Sequence, residues 1–368
     1  MSGSIDHDAL RAGRLARLQA EMRADGLGAA LLFHESNIRY ATGATAMPVW
    51  SMTTFVRCAV VPADGEPILF EHPNSIHRSR LVTPDVRPMV AWEFCDDADE
   101  LAGAWADSIV DALRELGATG GRLALDRVGQ PGALALAKRG LSFVDAAPTT
   151  LRARWVKTPE EIALFRANGE LVMQMLADFE AAIAPGVRER DLLGVLANAM
   201  FRGGGEYLST NTVCGGPNTN PWRAEATDRA LESGDLVFVD TDTVGIAGIF
   251  YCVSRTFAVG DAPSDRQRAV HRDALEWLEA MRAAIRPGLT VTEIAERAPV
   301  LPARYLAQRY EVMVHGIGLE EESPSICYPG DRQWNGDVVI EEGMTLVAEV
   351  YAGEVGARDG VKVGDEVL

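Results

Sequence analysis

At 368 residues the chain is long enough for two domains with separate cores, and 47% hydrophobic against 24% charged residues describes a folded rather than a disordered protein. A net charge of −18 argues against a nucleic-acid partner, because phosphate binding needs a basic footprint. No run approaches the apolar length of a membrane span, and five cysteines without CxxC spacing fit reduced thiols in a cytoplasm.

The first residues lack an apolar signal core, and 8–25 alternate Leu, Ala and Met with Arg and Glu at helical spacing before an Asp25-Gly26 stop. Ala29 to Phe33 reads as a buried strand and His34-Glu35-Ser36-Asn37 as the turn after it. Phe55 to Pro62 and Pro67 to Glu71 read as two strands joined at Ala63-Asp64-Gly65. Residues 97–116 are expected as a helix, Arg122 to Asp126 as a strand and Pro131 to Arg139 as a helix. This alternation implies a small α/β domain over 1–153.

A second domain, 154–368, opens at Lys157-Thr158-Pro159-Glu160-Glu161. Thr158 suits an N-cap, Pro159 the first helical position and Glu161 a capping box. That helix is expected to end at Pro185-Gly186, and a second, over 188–202, to close at Gly203-Gly204-Gly205. A faint repeat follows. Ile183-Ala184-Pro185-Gly186-Val187 resembles Ile285-Arg286-Pro287-Gly288-Leu289, and Gly234 to Asp240 resembles Gly343 to Glu349. In each half an acidic residue stands six positions after the glycine. Two related half-domains facing each other would each bring one strand-end carboxylate to a shared crevice.

The stretch on which the chemistry turns is 231–257. Leu236 to Val239 has strand composition and ends at Asp240 and Asp242, which point to one face of a strand. Two such anions in an apolar setting need a cation, a proton or a donor network. A strand-end turn with solvated aspartates would carry the same residues. His315, between an apolar run and Gly316 and beside Glu320, Glu321 and Glu322, is the best candidate among the histidines. The Glu349 strand and the C-terminal Gly360 to Leu368 would complete the crevice. Carboxylates with one imidazole suit Mn, Fe or Zn.

On the Lys157 to Ile162 motif, the Asp240 strand with Ser254-Arg255-Thr256-Phe257, His315-Gly316-Ile317-Gly318, Gly343 to Glu349 and Gly360-Val361-Lys362, the chain resembles the pita-bread (M24) enzymes. These include methionine aminopeptidases, Xaa-Pro peptidases and creatinases. The resemblance implies an α/β (α+β) chain with a creatinase-like N-terminal domain and a pseudo-twofold pita-bread domain. Asn37 to Thr42, Trp50, Gly203 to Glu206, Gly216 to Trp222 and Asp240-Thr241-Asp242 look most like the dimethylsulfoniopropionate lyases built on this fold. The resemblance implies a metal at the positions of Asp240, Asp242, Cys252, His315, Glu349 and Gly364. It implies substrate handling by Tyr310 and proton abstraction by Glu321.

Two of those positions depart from the family. Cys252 stands for an aspartate and Gly364 for a glutamate, which should abolish a two-metal clamp. A single Fe or Zn ion on Asp240, Asp242, Cys252, His315 and Glu349, and a metal-free site as in creatinases, both remain open. In either case surplus negative charge would draw a small zwitterionic substrate. Trp50, Trp222 and Tyr310 would stack on its cation, and Arg223 or Arg255 would meet its carboxylate, unless Arg255 is a structural strand-end arginine that pins neighbouring carboxylates. A lyase with Glu321 as base, a hydrolase of C–N bonds with His315 as base, and a pita-bread binding module that has lost catalysis are the competing readings. The resemblance further implies a homodimer in the cytoplasm, with residues 47–52 as a lid over the partner's site. It also admits a clipped C-terminus, since relatives usually continue beyond the position of Leu368.

Overall fold

The computed structural model describes residues 5–51, 54, 56–223 and 225–368. The chain divides into two compact units, one through Arg154 and one from Trp155.

The N-terminal unit is built on a mixed six-stranded sheet in the order β4-β3-β2-β1-β5-β6. Its strands are β1 (Leu27–Leu32), β2 (Cys58–Pro62), β3 (Ile68–Glu71), β4 (Asp85–Pro88), β5 (Arg122–Leu125) and β6 (Phe143–Asp145). The helix Ala98–Glu115 buries Ala102, Trp105, Ala106, Ile109, Ala112 and Leu113, one stripe at helical spacing, against Leu31, Cys58, Val60 and Phe70 of the sheet. The stretch expected as a turn at 34–37 instead starts the helix Glu35–Thr42. Its polar residues serve the helix start. Asp126 accepts from the Phe33 and His34 amides and from Asn37 Nδ2, while Gly43 ends the helix at φ 73°. Phe55 and Met52 lie outside the described residues, so the expected strand is seen only from Cys58 and the 47–52 stretch only in part.

The C-terminal unit is an eight-stranded antiparallel sheet with helices on one face. Its strands are β7 (Tyr207–Leu208), β8 (Thr212–Gly215), β9 (Leu236–Val244), β10 (Phe250–Ala258), β11 (Val312–Ile317), β12 (Glu321–Cys327), β13 (Leu346–Gly353) and β14 (Gly360–Val367). The order is β12-β11-β13-β14-β10-β9-β7, with β8 also paired to β9. The sheet is palindromic about the β14–β10 pair. Each half contributes two helices, then strands that build inward and end on the central strand, β10 in the first half and β14 in the second. Helix Pro159–Ala182 starts at the capping box, Thr158 Oγ1 accepting from Glu161 N and Glu161 from Thr158 N.

The sequence repeat is a repeat in backbone. Ile183 and Ile285 end their helices at φ −69°, ψ 117° and φ −68°, ψ 117°. Gly186 and Gly288 follow at φ 91° and 88°. The Gly186 amide donates to Leu231 O and the Gly288 amide to Ile340 O, both at 2.8 Å. Gly234 and Gly343, at φ 86° and 89°, then launch β9 and β13. A Cβ at that dihedral would be strained, which is why the repeat keeps its glycines.

Candidate active site

Strand alternation sorts the chemistry from the core. On β9 and β10, Val237, Val239 and Val253 face the helices Pro159–Ala182 and Glu189–Arg202. On β13 and β14, Leu346, Ala348, Val350, Val361 and Val363 face the helix Asp265–Ala284. The intervening side chains therefore share the opposite face. Register then pairs Cys252 with Asp242, Ser254 with Asp240, Glu349 with Gly364 and Tyr351 with Lys362. The result is a cleft of about 410 Å³ lined by Asp240, Asp242, Cys252, Glu349, Lys362, His315, Tyr310, Trp222, Glu321 and the Ser209 to Thr212 segment. Acids from both halves and the one imidazole meet there.

Lys362 sits at the centre, 1% exposed. Its ammonium donates to Asp240 Oδ2, to Glu349 Oε2 at 2.7 Å and to the Tyr310 hydroxyl at 2.6 Å. It also lies 3.9 Å from the Tyr310 ring centroid and 5.8 Å from that of Trp222. Burial works against the charge, but the Asp240 and Glu349 carboxylates outweigh it and hold the ammonium well above its usual range. Tyr310 donates to Asp240 Oδ2 at 3.2 Å and stacks on Trp222, centroids 5.1 Å apart and planes 18° apart. Burial, aided by Asp240 and Glu349, raises its phenol, which stays protonated. Ser254 Oγ closes the network on Asp240 Oδ1 at 2.6 Å.

Asp242 has no such partner. Its Oδ1 is buried without a hydrogen bond. Burial, then the neighbouring Asp240 and Glu321 carboxylates, push it up to about 7. Burial, then the Asp242, Asp240 and Glu349 carboxylates, raise the Cys252 thiol. The backbone amide of Cys252 donates to Glu366 Oε1 at 3.1 Å. His315 Nδ1 lies 2.9 Å from Gly316 O, an acceptor only, so Nδ1 is the donor of that bond and Nε2 is the ring nitrogen left for the cleft. That Nε2 is 4.0 Å from Glu349 Oε1.

Glu321 opens β12 at the cleft's exposed edge. Behind it, Glu322 is pinned by Lys157 Nζ at 2.9 Å and by the Leu319 amide at 3.1 Å.

Two expected substrate ligands, Arg255 and Arg223, do not join this cleft. Arg255 pairs across from Val239, the opposite face to Asp240. Its guanidinium is spent on Asp365 and on the carbonyls of Ser254 and Gly364, so it ties β10 to β14 and does not face the cleft. Arg223 is exposed and lines a separate surface hollow with Arg190 and Asp228. Trp50 belongs to the N-terminal unit, where it stacks on His72 with centroids 4.4 Å apart. Lys362 is the residue that sequence reasoning left without a role. Its place two residues before Gly364 on one strand was the available signal.

The donor set does not fit a pair of metal ions. Asp240, Cys252 and Glu349 are the one group among the described residues close enough to hold an ion, with donor atoms within 4.8 Å of one another. Two of those three already coordinate the Lys362 ammonium. At Gly364 a Cβ would meet Glu349 Cβ at 3.0 Å, so the missing carboxylate has no room without a shift.

Residues 163–368 match the pattern of metallopeptidase family M24, and residues 14–156 that of the creatinase/prolidase N-terminal domain. The chain belongs to the M24 family. This M24 enzyme is 32% identical over 377 residues to the dimethylsulfoniopropionate lyase DddP of Roseobacter denitrificans, covering 99% of this chain and 84% of that one. The DddP of Roseovarius nubinhibens is also 32% identical, over 378 residues with the same coverage. The fold matches the Xaa-Pro dipeptidase of Bacillus anthracis with a TM-score of 0.79 at 21% identity, over 97% of this chain and 94% of that one. The pita-bread architecture implied by the motifs is the one observed. No helix among the described residues is long and apolar enough to cross a membrane.

Proposed function

We propose that this M24 enzyme is a lyase for a small zwitterion with a sulfonium or similar onium group, of which dimethylsulfoniopropionate is the leading case. The observation that carries the reading is the division of the cleft. Lys362 neutralises the Asp240 and Glu349 end, whereas Asp242, with its unpartnered Oδ1, and Glu321 leave the other end anionic. A substrate cation is drawn to the Asp242 and Glu321 end, away from the Trp222 and Tyr310 rings that Lys362 already covers. Likeness to two DddP lyases over almost the whole chain supports the same substrate class.

In this mechanism Glu321 takes the proton from the carbon beside the substrate carboxylate. The electron pair left behind forms the C=C bond, the C–S bond breaks, and neutral dimethyl sulfide leaves with its electrons. Loss of the positive charge also removes its attraction to Asp242. No arginine of the expected pair faces the cleft, so the substrate carboxylate is left to polar side chains of the lining such as Ser209 and Asn211, since the Thr210 hydroxyl and the Ser209 amide already bond β9 carbonyls. Headspace chromatography for dimethyl sulfide tests the reading. Release is expected from the wild type and a loss of about 100-fold or more in Glu321→Gln. No release at high enzyme concentration overturns it.

One observation favours a hydrolase instead. His315 lines the cleft with Nδ1 committed to Gly316 O, which leaves Nε2 as the nitrogen that would activate water. That reading predicts C–N cleavage that is lost in His315→Ala and kept in Glu321→Gln.

A further inference from the structure

The fold's family implies a metal between the carboxylates of the two halves, yet the centre of this cleft is filled by a side chain. Asp240 comes from the first half and Glu349 from the second, and both bind one nitrogen, Lys362 Nζ. An ammonium has three N–H donors, and here all three are taken, by Asp240, Glu349 and Tyr310. None is left for substrate or water, and the side chain is fully buried. The cation therefore does what a bridging ion does: it offsets two anions that would otherwise repel across the β14–β10 seam. The flanking positions agree. Gly364 offers no carboxylate, and a Cβ there would press within 3.0 Å of Glu349 Cβ.

We propose that the Lys362 ammonium is the resident cation of this cleft, seated where carboxylates of the two halves would otherwise share a divalent ion, so that the enzyme works without one. This holds whichever reaction the cleft carries out.

The test is metal content of the full chain after equilibration with Zn²⁺, Mn²⁺ or Fe²⁺ and desalting, read by mass spectrometry, with melting temperature followed with and without EDTA. Wild type is expected to keep below about 0.1 ion per chain and to show no EDTA shift. Lys362→Met is expected to gain Zn²⁺ affinity by about tenfold or more, because Asp240, Cys252 and Glu349 are released to one ion. A wild-type chain that retains one ion and loses melting temperature in EDTA overturns the proposal. So does a folded Lys362→Met protein that gains no affinity. If that variant fails to fold, the wild-type content and EDTA response decide alone.

Discussion

Replacing Glu322 by Gln should destabilise the C-terminal unit and loosen the turn that carries two candidate catalytic groups. The Glu322 side chain is 1% exposed and that of its partner Lys157 is 2% exposed, with 2.9 Å between them. The second carboxylate oxygen accepts from the Leu319 amide at 3.1 Å. Solvent screening is therefore small, and removing one charge strands the other in the interior. Breaking a buried pair in this way costs about 3–5 kcal/mol. At the lower end, about 3 kcal/mol lowers the melting temperature of a unit this size by roughly 6–12 °C. The same substitution frees the backbone between His315 and Glu321, so turnover should fall more than substrate affinity. Urea unfolding of Glu322→Gln, Lys157→Met and the double variant gives the coupling directly. If each single change cost under about 0.5 kcal/mol and the two simply added, the buried pair would not be holding this turn.

Asp242→Asn should weaken binding of an unreactive onium zwitterion by about tenfold, or ~1.4 kcal/mol, in calorimetric titration; unchanged affinity would place the cation elsewhere. Arg255→Met should leave KM within about twofold while lowering thermal stability, because its guanidinium ties β10 to β14; a large rise in KM would put it back in the cleft. Asp235 carries the acid sensitivity of the β9 start. Burial alone would raise its carboxyl, but the Glu232 amide, Arg358 and Arg229 hold it below its ordinary value. Its contribution is thus complete above about pH 4 and is lost as pH falls through the lower folded value. Asp235→Asn should flatten the drop in urea midpoint between about pH 5 and 2, and parallel acid limbs for the two proteins would contradict this.

The halves were legible because the repeat sits in residues with a backbone job. Gly234 and Gly343 recur since both must adopt positive φ, and Asp240 and Glu349 follow at equal distance along equivalent strands. The turn expected at 34–37 failed for a specific reason: Glu, Ser and Asn suit a helix start as well as a turn, and only Asp126, about ninety residues away, decides between them. Of the two roles open to Arg255, the structural one holds, and the β9–β10 register decides it by turning the side chain to the face opposite Asp240. That register is a tertiary fact and does not appear in the linear pattern. Beyond its spacing from Gly364, Lys362 carries no sign of its role in the linear pattern, because a buried lysine gains its meaning only from the three oxygens gathered around it. Trp222 and Tyr310 were expected beside a substrate cation; that they stack on each other joins residues far apart in the chain and is not written in the linear pattern.

The most direct measurement is a single proton NMR time course with the purified chain, dimethylsulfoniopropionate and an Xaa-Pro dipeptide in one tube. The account predicts that the sulfonium methyl signal converts to dimethyl sulfide as alkene protons grow in, while the dipeptide stays intact. Cleavage of the dipeptide with the sulfonium signal unchanged would contradict it.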